Sequence, residues 1–195
     1  DYVKASVPAS SDRFGSAVAI STDGHTIAIG APRGILDGNA AYVFVFDGNA
    51  NRWTEQRRLS PGSLNSFEFG RSLALSGDGN TLAVGAHSEN AGGPADPKLG
   101  SGVVRVFTRT GTAWSAPVLV KASTIATNAS FGSALAFSRD GQTLAVGAVG
   151  DASGAAGMNG DEADTSKPLA GAAYVFRRSG AGWSHQCYVK GSNPD

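Results

Sequence analysis

Cysteine, methionine, histidine and charge are all scarce in this chain, and each scarcity removes a class of function. Cys187 stands alone, so neither an intrachain disulfide nor a cysteine metal cluster is available. Sixteen basic residues balance sixteen acidic ones with no basic stripe, which argues against nucleic acid and anionic membrane as partners. Charged residues make up 16% of the chain, against a usual ~25%. No apolar run approaches the ~18 residues of a membrane helix, so helical insertion is not expected. His25, His87 and His185 are scattered and face no nucleophile motif; no G-x-S-x-G, H-E-x-x-H or Arg-Gly-Asp occurs. No catalytic residue is therefore expected. The chain opens on Asp1 with no signal-peptide pattern. Asn128-Ala129-Ser130 formally fits a glycosylation acceptor, a three-letter pattern common by chance.

Glycine, by contrast, is abundant, at 27 of 195 residues, about twice the usual ~7%. Much of it falls in a motif written three times. Phe14-Gly15, Asp23-Gly24 and Gly30 recur as Phe69-Gly70, Asp78-Gly79 and Gly85, then as Phe131-Gly132, Asp140-Gly141 and Gly147. Inside each copy the spacing is constant, while the copies advance by 55 and then 62 residues. A rigid unit with an elastic loop is a repeat architecture.

Each unit reads as four antiparallel strands. After Phe-Gly, large residues (Val18, Ile20; Leu73, Leu75; Leu135, Phe137) alternate with alanines and serines at period 2. Asp-Gly supplies the positive φ of a tight hairpin into a second strand. A third strand contains Tyr42–Phe46, Val103–Phe107 and Ala172–Phe176. Seven residues past its last Phe, Trp53, Trp114 and Trp183 open a fourth strand. Recurrence once per unit assigns these tryptophans a structural role rather than a sugar-binding one. A sheet with one bulky and one small face cannot bury itself, and radial stacking of such sheets makes a β-propeller. The predicted fold is thus all-β: a segment of three four-stranded antiparallel blades, at 7–63, 64–123 and 124–192, with residues 1–6 as the outer strand of a preceding blade. The variable length lies between strands two and three, which puts variation on one rim, where binding usually lives.

With those residues in place, the chain resembles the FG-GAP repeat family. Phe-Gly at 14, 69 and 131 matches its FG element, Gly30-Ala31-Pro32 matches GAP in full, and Gly85-Ala86 and Gly147-Ala148 match in part. The resemblance implies an integrin-α-like propeller of about seven blades, secreted or at the cell surface, and a non-enzymatic binding or adhesion role toward a protein or glycan. Other blades of the propeller, or further copies, would cover its open ends. A structural spacer and a fragment of a propeller lyase or hydrolase are the alternatives. The family's calcium loop is not expected in the hairpins, since each offers one carboxylate (Asp23, Asp78 or Asp140) and calcium takes six to eight oxygens. Asp151, Asn159, Asp161 and Asp164, close together in the longest loop with Glu162, are weak calcium candidates, more simply read as a solvated turn-rich loop. No other cofactor is expected. Arg57 and Arg58, aligned with Val118-Leu119 and Cys187-Tyr188, mark the first unit's outer strand as the weakest of the three. Three blades fall short of a closed ring, so exposed ends and self-association or marginal stability are expected.

Overall fold

The computed structural model describes residues 2–8, 10–32, 39–62, 68–92, 95 and 97–192. Among these there is no helix, and the strands form three antiparallel sheets in chain order. The first contains β1 (Val18–Ile20), β2 (Thr26–Ala31), β3 (Ala40–Asp47) and β4 (Arg52–Leu59). The second contains β5 (Ser72–Leu75), β6 (Thr81–Ala86) and β7 (Val103–Thr110), with an outer strand broken into β8 (Ala113–Trp114) and β9 (Val118–Val120). The third contains β10 (Phe131–Phe137), β11 (Thr143–Ala148), β12 (Ala172–Ser179) and β13 (Gly182–Val189).

Stacking follows the large-and-small rule. The small face of the first sheet (Ala28, Ala41, Val43) packs on the bulky face of the second (Phe69, Leu82, Val84). The second repeats this against the third, with Ala83, Val104 and Val106 on Phe131, Leu144 and Val146. Trp114 and Trp183 join these two cores, and Trp53 joins the smaller cluster on the first sheet.

The motif glycines make the joint. Phe and Gly occupy the middle of a turn closed by Ser16 N–H to Arg13 C=O, Arg71 to Glu68 and Ser133 to Ser130. Gly15, Gly70 and Gly132 have φ of 96°, 96° and 90°, which only glycine adopts freely. The carbonyl of Gly70 lies so close over Gly30, and that of Gly132 over Gly85, that a Cβ on either lower glycine would collide with it. The FG of one unit therefore seats on the GA of the unit before it.

The ladder corrects the alignment of the first unit. Phe44 faces Ile27 as Phe107 faces Leu82 and Phe176 faces Leu144, so Phe44, not Phe46, is the equivalent residue. The β3–β4 turn is two residues longer than its counterparts, four residues (48–51) against two (111–112, 180–181). That insertion kept the Phe-to-Trp spacing at seven by coincidence, because a second Phe sits two positions on. The outer-strand expectation also changes. The predicted equivalence of Arg57 and Arg58 holds in the ladder, but β4 runs unbroken for eight residues. Arg58 lies over the Tyr42 ring and donates from Nε to its hydroxyl at 3.3 Å. The interrupted outer strand belongs to the second sheet, where Pro117 has no N–H to give.

Residues 2–5 form no strand. Val3 and Ala5 nonetheless pack on the bulky face of the first sheet, with Ile29, Tyr42 and Phe44. Val120 and Ala122 hold the matching place on the third sheet.

Candidate functional site

In sheets of this topology the β1–β2 and β3–β4 turns share one rim, and the long β2–β3 loops share the other. The turn rim holds the three Asp-Gly hairpins. In each, a serine hydroxyl donates to the aspartate, Ser21 to Asp23, Ser76 to Asp78 and Ser138 to Asp140, all at 2.5 Å. The same carboxylate accepts the N–H two residues on, from His25, Asn80 and Gln142. The serine hydroxyl and backbone donors hold Asp23 and Asp140 below the usual carboxylate range. At Asp78, burial pushes upward, but the Ser76 and Asn80 donors outweigh it. The carboxylates flank a concavity of about 920 Å³ lined also by Thr22, Gly77 and Arg139. Every aspartate is occupied in closing its own turn.

The loop rim is built differently. The second sheet's loop lies against the connector to the third: Leu99, Gly100 and Ser101 carbonyls accept from Asn128, Ser130 and Phe131 N–H at 2.7, 3.0 and 2.9 Å. The connector in turn accepts from the third sheet's loop, through Gly150 N–H to Ala129 C=O. Lys98, Asn128, Ser130, Asn159 and Leu169 all take positive φ on this rim, conformations that persist only where the surroundings over-determine them. Leu99, Val149, Met158 and Leu169 project into solvent, 57–76% exposed.

Buried acids anchor these loops. Asp151, four residues past the GA glycine, accepts from the Tyr188 and Tyr174 hydroxyls (2.8 and 3.0 Å), from Ser153 N–H and from Lys190 Nζ at 3.1 Å. Burial, reinforced by the Asp151 charge, pushes the Tyr174 phenol well above its ordinary value, and burial does the same for Tyr188, so both remain donors. Glu89 holds the same position in the second unit and pairs in a fork with Arg105, at 2.5 and 2.8 Å. In the first unit that position is Gly34, outside the described residues. Sequence reasoning missed this tie; an acid at the same offset in both longer-looped copies, facing Arg or Tyr on strand three, was the available signal.

The four calcium candidates are not brought to one point. Asp151 is engaged as above, and the Asn159 side chain accepts from Tyr188 N–H. Asp161 caps its own turn at Ala163 N–H. Asp164 accepts from Gly154 and Ser166, and the Ser166 donors lead in holding it below the usual range. Glu162 sits apart, bonded to the Ser123 hydroxyl. No three His, Cys, Asp or Glu side chains group to hold a metal among the described residues. The tryptophans lie at the outer hairpin: Trp53 against Phe46, Trp183 against Phe137, and Trp114 donating to Gln56 of the first sheet at 3.0 Å.

Residues 3–44 match the model of the FG-GAP repeat. No curated protein is similar to the chain. Among solved structures, hydrazine synthase of Kuenenia stuttgartiensis is similar over 99% of this chain and 40% of its own, with a TM-score of 0.53 and 15% identity. Sqt1 of Saccharomyces cerevisiae is similar over 93% of this chain and 38% of its own, with a TM-score of 0.52 and 10% identity. At such identities the likeness is one of fold, and this chain spans about 40% of the length of these two structures.

Proposed function

We propose, starting from a chain that carries an FG-GAP repeat in its first unit and repeats its landmarks twice more on a β-propeller segment, that this is a non-enzymatic module binding an extracellular protein or glycan through its loop rim. The observation that carries the reading is the exposure of Leu99, Val149, Met158 and Leu169 on loops whose backbones are pinned by hydrogen bonds and buried acids. Exposed apolar side chains on a rigid frame supply contact area without an ordering cost at binding. A spacer has no use for such side chains, and loops of different length present a different surface on each unit. The convergent, unpaired ionisable groups of a catalytic centre are not what supports this rim: Asp151, Glu89 and Arg105 are consumed in anchoring it.

The test is to display the chain against panels of extracellular proteins and immobilised glycans, then repeat any binding with L99D and L169D. Rim binding predicts loss of signal in these variants with an unchanged melting curve. Binding indifferent to both, or no ligand in either panel, would overturn the reading.

A further inference from the structure

We propose that the longest loop, residues 151–171, is a latch on the joint between the second and third units, closed by Glu162 and tightened when His185 carries a proton. The latch replaces a simpler tie in the first unit. There Glu55, on the outer strand β4, accepts from the Ser6 N–H at 3.0 Å and the Ser6 hydroxyl at 2.7 Å. Val3-Lys4-Ala5-Ser6 is written again as Val120-Lys121-Ala122-Ser123. Val3 and Val120 pack on equivalent sheet faces, so Ser123 stands where Ser6 does. In the ladder, Glu55 faces Phe44 as His185 faces Phe176, so the third unit has a histidine where the first has its acid. Its serine still finds a carboxylate: the Ser123 hydroxyl donates to Glu162, which the longest loop brings in. The second unit has Gly62 and Ala116 at these two positions and cannot make the tie.

Bonds inside the loop fold its middle into one lobe. The Ser153 hydroxyl donates to Asp161 C=O at 2.7 Å, Gly154 N–H to Asp164 at 2.8 Å and Lys167 N–H to Ala152 C=O at 2.9 Å. The lobe lies against the outer edge of β13 as a strand of a single residue pair, Met158 opposite Val189. Asn159 N–H donates to Tyr188 C=O at 2.7 Å and Lys190 N–H to Gly157 C=O at 2.8 Å. The Asn159 side chain takes the Tyr188 N–H at 3.0 Å. Through Glu162 the same lobe reaches the connector, so one piece of chain ties the third unit's edge to the strand that leaves the second.

His185 stands beside the latch with an unfinished contact. A bulge between its ladder position and that of Cys187 re-aims this part of β13. The His185 Nε2 is shut off from solvent without a hydrogen-bond partner, 3.8 Å from the second oxygen of Glu162. A small movement closes that gap, and with a charged ring it closes on a charge-assisted hydrogen bond. Histidine changes charge between pH 5 and 8, where glutamate stays ionised. From β12 come the Tyr174 and Phe176 rings, at 5.9 and 5.6 Å between centroids, while Arg178 lies opposite Trp183 instead. The Tyr174 and Tyr188 hydroxyls donate to Asp151, whose charge Lys190 already meets. The second sheet's facing side is apolar, with Ala83, Val104 and Val106. Glu162 is therefore the acid that His185 answers to.

Hydrogen exchange of the whole chain, corrected for the intrinsic effect of pH, reads the latch at the Asn159 and Lys190 amides. Protection is expected to rise about two- to fivefold on going from about pH 7.5 to about pH 5.5, the size of a partly exposed ion pair. His185→Gln should abolish the rise without changing protection at the higher pH. Glu162→Gln should abolish it and lower protection at both pH values, since Ser123 loses its acceptor as well. Both side chains are half-buried, so melting curves should show both variants folded. His185→Glu combined with Glu162→Gln returns the acid to the strand, where Glu55 stands in the first unit. It should recover the melting temperature lost in Glu162→Gln without restoring the rise. Protection that does not rise in the unaltered chain, or a rise that survives in His185→Gln, overturns the proposal. A double variant that recovers nothing overturns the equivalence of Glu162 with Glu55.

Discussion

A carboxylate in this molecule is read by what donates to it. Asp151 has four donors from three parts of the third unit, and its removal strands Lys190, whose side chain is 1% exposed. Asp151→Ala is expected to cost about 3–5 kcal/mol, as breaking a buried ion pair does, measured by denaturant unfolding. Asp164→Ala, whose donors are near solvent, should destabilise far less in the same measurement. The turn aspartates give a pH signature. Because Asp23, Asp78, Asp140 and Asp164 are held below the ordinary carboxylate range, the unfolded chain takes up protons first as pH falls. Their contribution is complete above the ordinary aspartate value of about 3.9 and is lost as pH drops through the depressed values. Ser138→Ala removes the leading donor to Asp140, so its stability should fall less steeply below pH ~4, tracked by chemical denaturation across pH. These turns were legible in the sequence because Ser-x-Asp-Gly closes on itself. The Glu89–Arg105 and Asp151–Tyr174 ties were not, since they depend on where a long loop returns.

At the scale of elements, period-2 alternation and Asp-Gly placed the two inner strands of every unit, because a half-buried strand writes its own pattern. Outer strands were harder. Two adjacent arginines read as weakness in a strand, but Arg58 lies on Tyr42, whereas Pro117 breaks a ladder whatever surrounds it. Amide exchange is accordingly expected to open residues 113–120 before 52–59 and 182–189; earlier opening of 52–59 would return the weak edge to the arginines. The slip at Phe46 has a similar origin. A two-residue turn insertion beside a Val-Phe-Val-Phe run is invisible to spacing, and only the ladder partner of Ile27 exposes it.

Position along the stack sets the energetics of the whole molecule. Phe14, Phe69 and Phe131 occupy one site in three copies, but Phe69 and Phe131 are fully buried at internal joints while Phe14 is half-buried on the uncovered face. Phe69→Ala and Phe131→Ala should each cost about 3–5 kcal/mol and Phe14→Ala clearly less, read from paired melts; equal losses would mean the first face is covered in solution. Chelator is expected to leave the melting temperature unchanged, because the acids of the longest loop are satisfied by Lys190, tyrosine hydroxyls and backbone N–H groups. Stacking of small on large faces was legible because alternation fixes which face is which. The neighbour seated on each face was not, as every copy carries the same two faces.

That sameness gives the chain a grammar of interchange. Gly132 sits over Gly85 by the same contact that sets Gly70 over Gly30, so a variant spliced from residue 62 to residue 124, with the middle unit excised, would bring Gly132 over Gly30 without inventing a new contact. Whole units can be lost or gained like links, whereas a side chain at any one of the lower glycines blocks the link above it.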